Sequence, residues 1–154
     1  MPILCDTVCV WALYFRDSVY RAHVLELRRR HGLLVPKACL LEAAYPIFKA
    51  KGLDELRRYA TFLRYLPLAP GIKILELGYE DLVKALELAR ECLEVFVDER
   101  SNLCLFDALV ASTWLRTRLA LATSDLKLAR LIDYYPGLKG KLILLEKRPP
   151  SVPR

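Results

Sequence analysis

Four acidic residues stand in this sequence where acids are hard to accommodate. Asp6 closes the apolar run Ile3-Leu4-Cys5. Glu42 lies between Ala38-Cys39-Leu40-Leu41 and Ala43-Ala44. Asp107 is set among Leu105, Phe106, Ala108, Leu109 and Val110, and Asp125 follows the apolar stretch from Leu119 to Thr123. A carboxylate taken out of water without a partner is expensive. Either each acid finds its own Arg or Lys, or several of them share a divalent cation. Clusters of carboxylate oxygens suit hard ions such as Mg2+ or Mn2+.

For these acids to meet, the elements that carry them must end in one place. Residues 2–6 read as a short strand ending in Asp6, with a helical stretch from Thr7, a possible cap. A second helix is expected from about Asp17, its candidate N-cap, to His31, with Tyr20, Val24 and Leu27 on one face and Gly32 as the stop signal. Leu33 to Val35 reads as a strand, and residues 37–50 as a helix that Pro46 kinks or divides. An amphipathic stretch at 53–66 is closed by Pro67 and the Pro70-Gly71 turn. A strand follows at 72–77, then the longest helix expected, Glu80 to Val97. A helix at 104–118, a strand at 119–123, a short helix at 125–133, a turn at 137–140 and a strand at 142–145 complete the pattern. Strands alternating with helices predict an α/β fold with a mainly parallel sheet. In such sheets the ligand lies beyond the carboxyl ends of the strands, the edge where Asp6 and Asp125 both fall.

The chain of 154 residues is long enough for one self-sufficient domain, expected over residues 1–148, with a Pro-rich tail at 149–154. No apolar run approaches the ~20 residues that span a bilayer, and no secretory signal is evident, so a cytoplasmic address is expected. Cys5, Cys9, Cys39, Cys92 and Cys104 show no C-x-x-C spacing, and with His23 and His31 they complete no zinc pattern; they read as small buried residues. The net charge of +6 favours an anionic partner such as nucleic acid. Candidate cations are Lys127, Lys37, Arg116, Arg118 and the triplet Arg28-Arg29-Arg30, which also suits a solvated helix end. The aromatic group Trp11, Tyr14, Phe15 and Tyr20 reads as core or interface packing.

In order along the chain, Ile3-Leu4-Cys5-Asp6-Thr7, Pro36 through Glu42, Phe106-Asp107-Ala108-Leu109-Val110-Ala111 and Ala122-Thr123-Ser124-Asp125 resemble the four sequence blocks of PIN domains. The third block is the most specific. By size the chain resembles the VapC-type toxins of toxin–antitoxin pairs. The resemblance implies an α/β/α sandwich and a ribonuclease that hydrolyses RNA phosphodiester bonds with Mg2+ or Mn2+. It makes Asp6 and Asp107 the central metal ligands, with Glu42 and Asp125 acting through water or at a second metal. Thr7, Thr123 and Ser124 would orient the carboxylates, and Lys127, Lys37 and Arg116 would contact RNA. It also implies an antitoxin partner covering the acidic cleft, and a homodimer. Without metal, the like charges are expected to raise the carboxylate pKa values.

One departure is Val8, where the family commonly has a small polar residue; Asp17 or Ser124 would have to supply the missing hydrogen bond. Val8 keeps open a second reading, a PIN-like scaffold that binds RNA or protein without cutting. Val8 also disfavours a haloacid-dehalogenase-like phosphatase, which needs Asp-x-Asp after the first strand. A receiver domain lacks its acidic pair here, and no G-x-x-x-x-G-K or G-x-G-x-x-G loop is present for a nucleotide.

Overall fold

The computed structural model describes residues 1–149, so positions 150–154 of the expected tail lie outside the described residues. Five parallel strands, β1 (Ile3–Cys5), β2 (Leu33–Pro36), β3 (Ile72–Leu75), β4 (Leu121–Thr123) and β5 (Leu142–Leu144), form one sheet in the order β3-β2-β1-β4-β5. Helices cover both faces, so the central strands are apolar throughout: Leu4, Cys5, Val35, Leu121 and Ala122 are fully buried. This is the α/β/α arrangement that the resemblance implies.

From β1 the chain moves outward to β2 and β3, then returns to the other side of β1 for β4 and β5. The crevice between the ends of β1 and β4 is therefore the topological switch point, where open α/β sheets bind ligands. Leu4 pairs with Leu121 and Cys5 with Ala122. That register brings Asp6 and Thr123 out at the same level.

Helix α1 (Thr7–Tyr14) starts directly at the end of β1, and its N-cap is Asp6; Thr7 is the first helical residue, not the cap. Helix α2 (Arg21–His31) starts later than expected. Asp17 lies exposed in a turn and caps nothing, while Arg21 sends its guanidinium to the carbonyls of Ala12 and Leu13, closing the end of α1. Gly32 stops α2 with φ +77°, a conformation that Gly adopts without a Cβ penalty.

Helix α3 (Lys37–Lys51) passes through Pro46 undivided, and α4 (Leu53–Tyr65) packs against it. The aromatic group reaches α4: the Tyr14 ring meets those of Tyr59 and Phe62 at 5.4 and 5.2 Å. The expected long helix is two, α5 (Tyr79–Glu91) and α6 (Leu93–Phe96), broken at Cys92. Helix α7 (Leu105–Thr117) is buried on every side from Ala108 to Trp114, as a helix that is apolar all round must be. The Trp114 indole N–H donates to the Leu119 carbonyl at 3.0 Å and fixes the turn into β4. Two one-turn helices, α8 (Leu126–Ala129) and α9 (Leu131–Tyr134), lead to β5.

All five cysteines are free, four of them buried and Cys104 half-buried. Among the described residues no helix is long and apolar enough to cross a membrane.

Candidate metal centre

Asp6 is 6% exposed, and its carboxylate is held at two points. One oxygen accepts the Thr7 amide at 2.7 Å, the N-cap bond of α1. The other accepts the Thr123 hydroxyl at 2.6 Å. Thr123 in turn accepts the Asp125 amide at 3.0 Å, and Asp125 caps α8 by accepting the Lys127 amide at 2.8 Å. The Thr7 hydroxyl donates to Glu42 on α3. Asp107 sits in the first turn of α7. Three of the four acids thus stand at helix N-termini, where the helix dipole favours negative charge.

One carboxylate oxygen from each of Asp6, Glu42 and Asp107 comes within 4.8 Å of the other two. Asp125 is outside that tight set, but its charge bears on all three. None of the three takes part in an ion pair among the described residues. The Asp107 carboxylate also lacks any hydrogen bond there, although no fully buried side-chain nitrogen or oxygen among the described residues is left unpartnered. Its oxygens therefore reach solvent in the crevice. Three converging carboxylates with no cationic side chain paired to them fit a hard divalent cation.

Asp6, Glu42 and Asp107 are harder to ionise than usual. Burial raises Asp6, opposed by the bonds from Thr123 and Thr7 and reinforced by the charge of Asp125. Burial raises Glu42 as well, against the Thr7 hydroxyl and with the charges of Asp6 and Asp125. Asp107 is pushed up to about 7, first by burial and then by the charges of Asp6, Glu42 and Asp125, with Lys127 opposing. The expected like-charge effect is present, but loss of hydration is the larger cause in every case. Asp107 has no hydroxyl or amide bond of the kind that holds Asp6 and Glu42 down.

The remaining predicted residues separate. Lys127 is exposed, and its charge acts on Asp107 and Asp98. Lys37 is bound to Glu76 at 2.8 Å. Arg116 stands in the last turn of α7, ~13 Å along the axis from Asp107, and pairs with Asp81 at 3.2 Å. Arg28, Arg29, Arg30 and Arg118 precede β2 and β4, at the amino edge of the sheet and away from the acids, because the α2 and α7 helices must end where those strands begin. Ser124 is exposed and Asp17 lies in a turn; neither makes a side-chain hydrogen bond to the acids, so neither replaces the polar group that Val8 lacks. Val8 packs against the core.

Two features were not read from the sequence. Tyr45, one turn beyond Glu42 and 68% exposed, faces Phe106, the neighbour of Asp107, with ring centroids 6.2 Å apart. The i, i+3 spacing from Glu42 was the available signal. Secondly, a groove of about 660 Å³ lined by Leu40, Leu63, Ile72 and Ile74, with Lys37 and Glu76 at its rim, opens on the β3 side and contains none of the four acids.

The PIN domain family model matches residues 3–133. No curated protein sequence gives a significant match. Among solved structures, VapBC2 from Rickettsia felis bound to a promoter DNA fragment is similar, with a TM-score of 0.62 and 16% identity over 95% of this chain and 100% of that one. VapC20 of Mycobacterium tuberculosis, a toxin that cleaves the sarcin–ricin loop, has a TM-score of 0.63 and 13% identity over 84% of this chain and 94% of that one. A toxin–antitoxin complex from Klebsiella pneumoniae gives 0.56 and 18% over 92% and 95%. At these identities the likeness is one of fold.

Proposed function

The chain belongs to the PIN domain family, and from that premise we propose that it is a metal-dependent endoribonuclease, the toxin of a toxin–antitoxin pair. The observation that carries this reading is the meeting of Asp6, Glu42 and Asp107 at the switch point of the sheet, with no cationic side chain among the described residues paired to them. Those three residues would hold Mg2+ or Mn2+, with Asp125 at the margin. A divalent cation bound there supplies Lewis acidity toward a phosphodiester and a water of lowered pKa.

The chain's own groups do the rest. Thr123 and the Thr7 amide fix the Asp6 carboxylate, and the Thr7 hydroxyl fixes Glu42, so two ligands are oriented before any cation arrives. Asp107, raised to about 7, exchanges its proton near neutrality and must lose it to act as a ligand. Lys127 places a positive charge beside the acids, where a substrate phosphate would lie. Tyr45 offers an exposed ring beside Glu42 on which a base can stack.

RNA is favoured as substrate by the family and by the activity of the mycobacterial structural neighbour. An antitoxin is favoured because two neighbours are toxin–antitoxin assemblies. The exposed stripe Leu41, Tyr45 and Phe48 on α3 would take its apolar segment beside the acids, and a homodimer belongs to the same reading. The test is cleavage of a mixed RNA substrate with Mn2+ or Mg2+, with and without EDTA, by wild type and by Asp107→Asn. Metal-dependent cleavage lost in the variant is expected. Equal cleavage by both proteins would remove the acidic centre as the cutting site, and none by wild type with any divalent ion would leave the non-cutting scaffold, which Val8 favours.

A further inference from the structure

The two edges of the sheet differ in charge. At the carboxyl edge the residues that follow the strands are mixed, Asp6, Lys37, Glu76, Asp125, Lys127, Glu146 and Lys147, with Lys37 paired to Glu76, and Glu42 and Asp107 join Asp6 in the cleft. At the amino edge, the segments that lead into β2, β4 and β5 carry Arg29, Arg30, His31, Arg118, Lys139 and Lys141, and no acid. Residues 69–71, leading into β3, are uncharged.

Backbone hydrogen bonds tie these segments into one row. The Ile3 amide donates to the Gly32 carbonyl at 2.9 Å, Leu4 to Ala120 at 2.8 Å, and Leu121 to Lys141 at 2.8 Å. With strands ~4.8 Å apart, β2 to β5 spans ~14 Å. The row is also available. Arg29, Arg118 and Lys139 are exposed, and with Lys141 they take part in no ion pair among the described residues. Arg30 is the paired member, held by Glu26 at 3.2 Å.

A nuclease whose cleft is lined by carboxylates repels the polyanion it must hold. Beyond Lys127 beside the acids, its non-specific affinity has to come from cations elsewhere. We propose that the amino-edge row is a second contact surface for the phosphate backbone of RNA, remote from the acidic cleft; this rests on the ribonuclease reading. The strands that separate the two edges are only three or four residues long, ~10–13 Å. A folded RNA can reach both edges, whereas an oligonucleotide of a few residues lying in the cleft cannot. The structure thus favours folded RNA over short single strands.

The test is fluorescence anisotropy in EDTA, so that binding is read without cleavage, with a labelled 30-nucleotide RNA hairpin and a labelled hexanucleotide over a salt series. The variant is Arg29→Gln with Arg118→Asn and Lys141→Gln; Asn is chosen because Arg118 holds φ +55°, which Asn tolerates. The control, Arg57→Gln with Arg64→Gln and Lys84→Gln, removes the same charge elsewhere. The amino-edge variant should bind the hairpin at least about tenfold more weakly, with a salt slope smaller by about two, while its hexanucleotide affinity and Mn2+ affinity match those of wild type. An unchanged hairpin affinity and slope, an equal loss in the control, or no hairpin binding by wild type would overturn the proposal. Absence of cleavage with metal would defeat the nuclease reading alone, since binding is measured separately.

Discussion

The Thr123 hydroxyl donates to the buried Asp6 carboxylate at 2.6 Å, joining the ends of two neighbouring parallel strands across 117 positions of sequence. The same oxygen accepts the Asp125 amide, so one side chain sets both the orientation of a candidate metal ligand and the path of the chain toward the next acid.

Thr123→Val keeps the shape and removes that donor. Asp6 loses one of the two bonds that oppose its burial, so its pKa rises further. Mn2+ affinity should fall about 10- to 100-fold, the usual effect of losing a partner behind a ligand, and stability by about 1–3 kcal/mol. Isothermal titration and thermal melting measure the two; unchanged metal affinity would separate Thr123 from the site.

The metal-free protein should lose stability as pH rises. Asp107 ionises near 7 when folded and near ~3.9 when unfolded. The folded state therefore keeps a proton that the unfolded state has released, and stability falls between about pH 4 and pH 7. Asp6 and Glu42, both raised, act in the same direction. Metal binding below pH 7 must displace the Asp107 proton, so affinity should rise up to about tenfold per pH unit and level off above it. Melting curves in EDTA and in Mn2+ across pH 5–8 check both slopes.

Asp107→Asn should stabilise the metal-free protein while removing cleavage. The amide cannot ionise, so the burial of charge and the repulsion from Asp6, Glu42 and Asp125 both vanish. A gain of about 1–3 kcal/mol at pH 8 is expected, read as a higher melting temperature in EDTA. A variant less stable than wild type would show that the carboxylates are not in conflict.

Tyr45→Ala separates RNA contact from metal binding. The ring is exposed, so stability should hold within about 0.5 kcal/mol. Loss of a stacked base would raise KM for RNA about tenfold, with Mn2+ affinity unchanged. An unaltered KM would place the bases elsewhere.

The strand ends were legible because an acid after an apolar run is a sharp local change, as at Cys5-Asp6 and Thr123-Ser124-Asp125. Glu42 and Asp107 were legible for the same reason, each being a charge in an apolar helix. The break at Cys92 was not: Ala85, Leu88, Ala89 and Cys92 are buried on one face, and Val95 and Phe96 continue that register, so the apolar pattern runs through the break unmarked. Asp17 misled because the start of α2 is set by Arg21 reaching back to α1, a tertiary bond with no local signature. The positions of the cations were the least legible. Arg116 and the Arg28–Arg30 triplet are placed by the direction in which their helices run, which charge and spacing do not reveal.

The most direct test is anomalous diffraction from a crystal of the protein soaked in Mn2+. The account predicts a manganese peak bounded by the carboxylates of Asp6, Glu42 and Asp107, absent in Asp107→Asn crystals soaked alike. Ordered, empty carboxylates at saturating Mn2+, or a peak held by other residues, would contradict it.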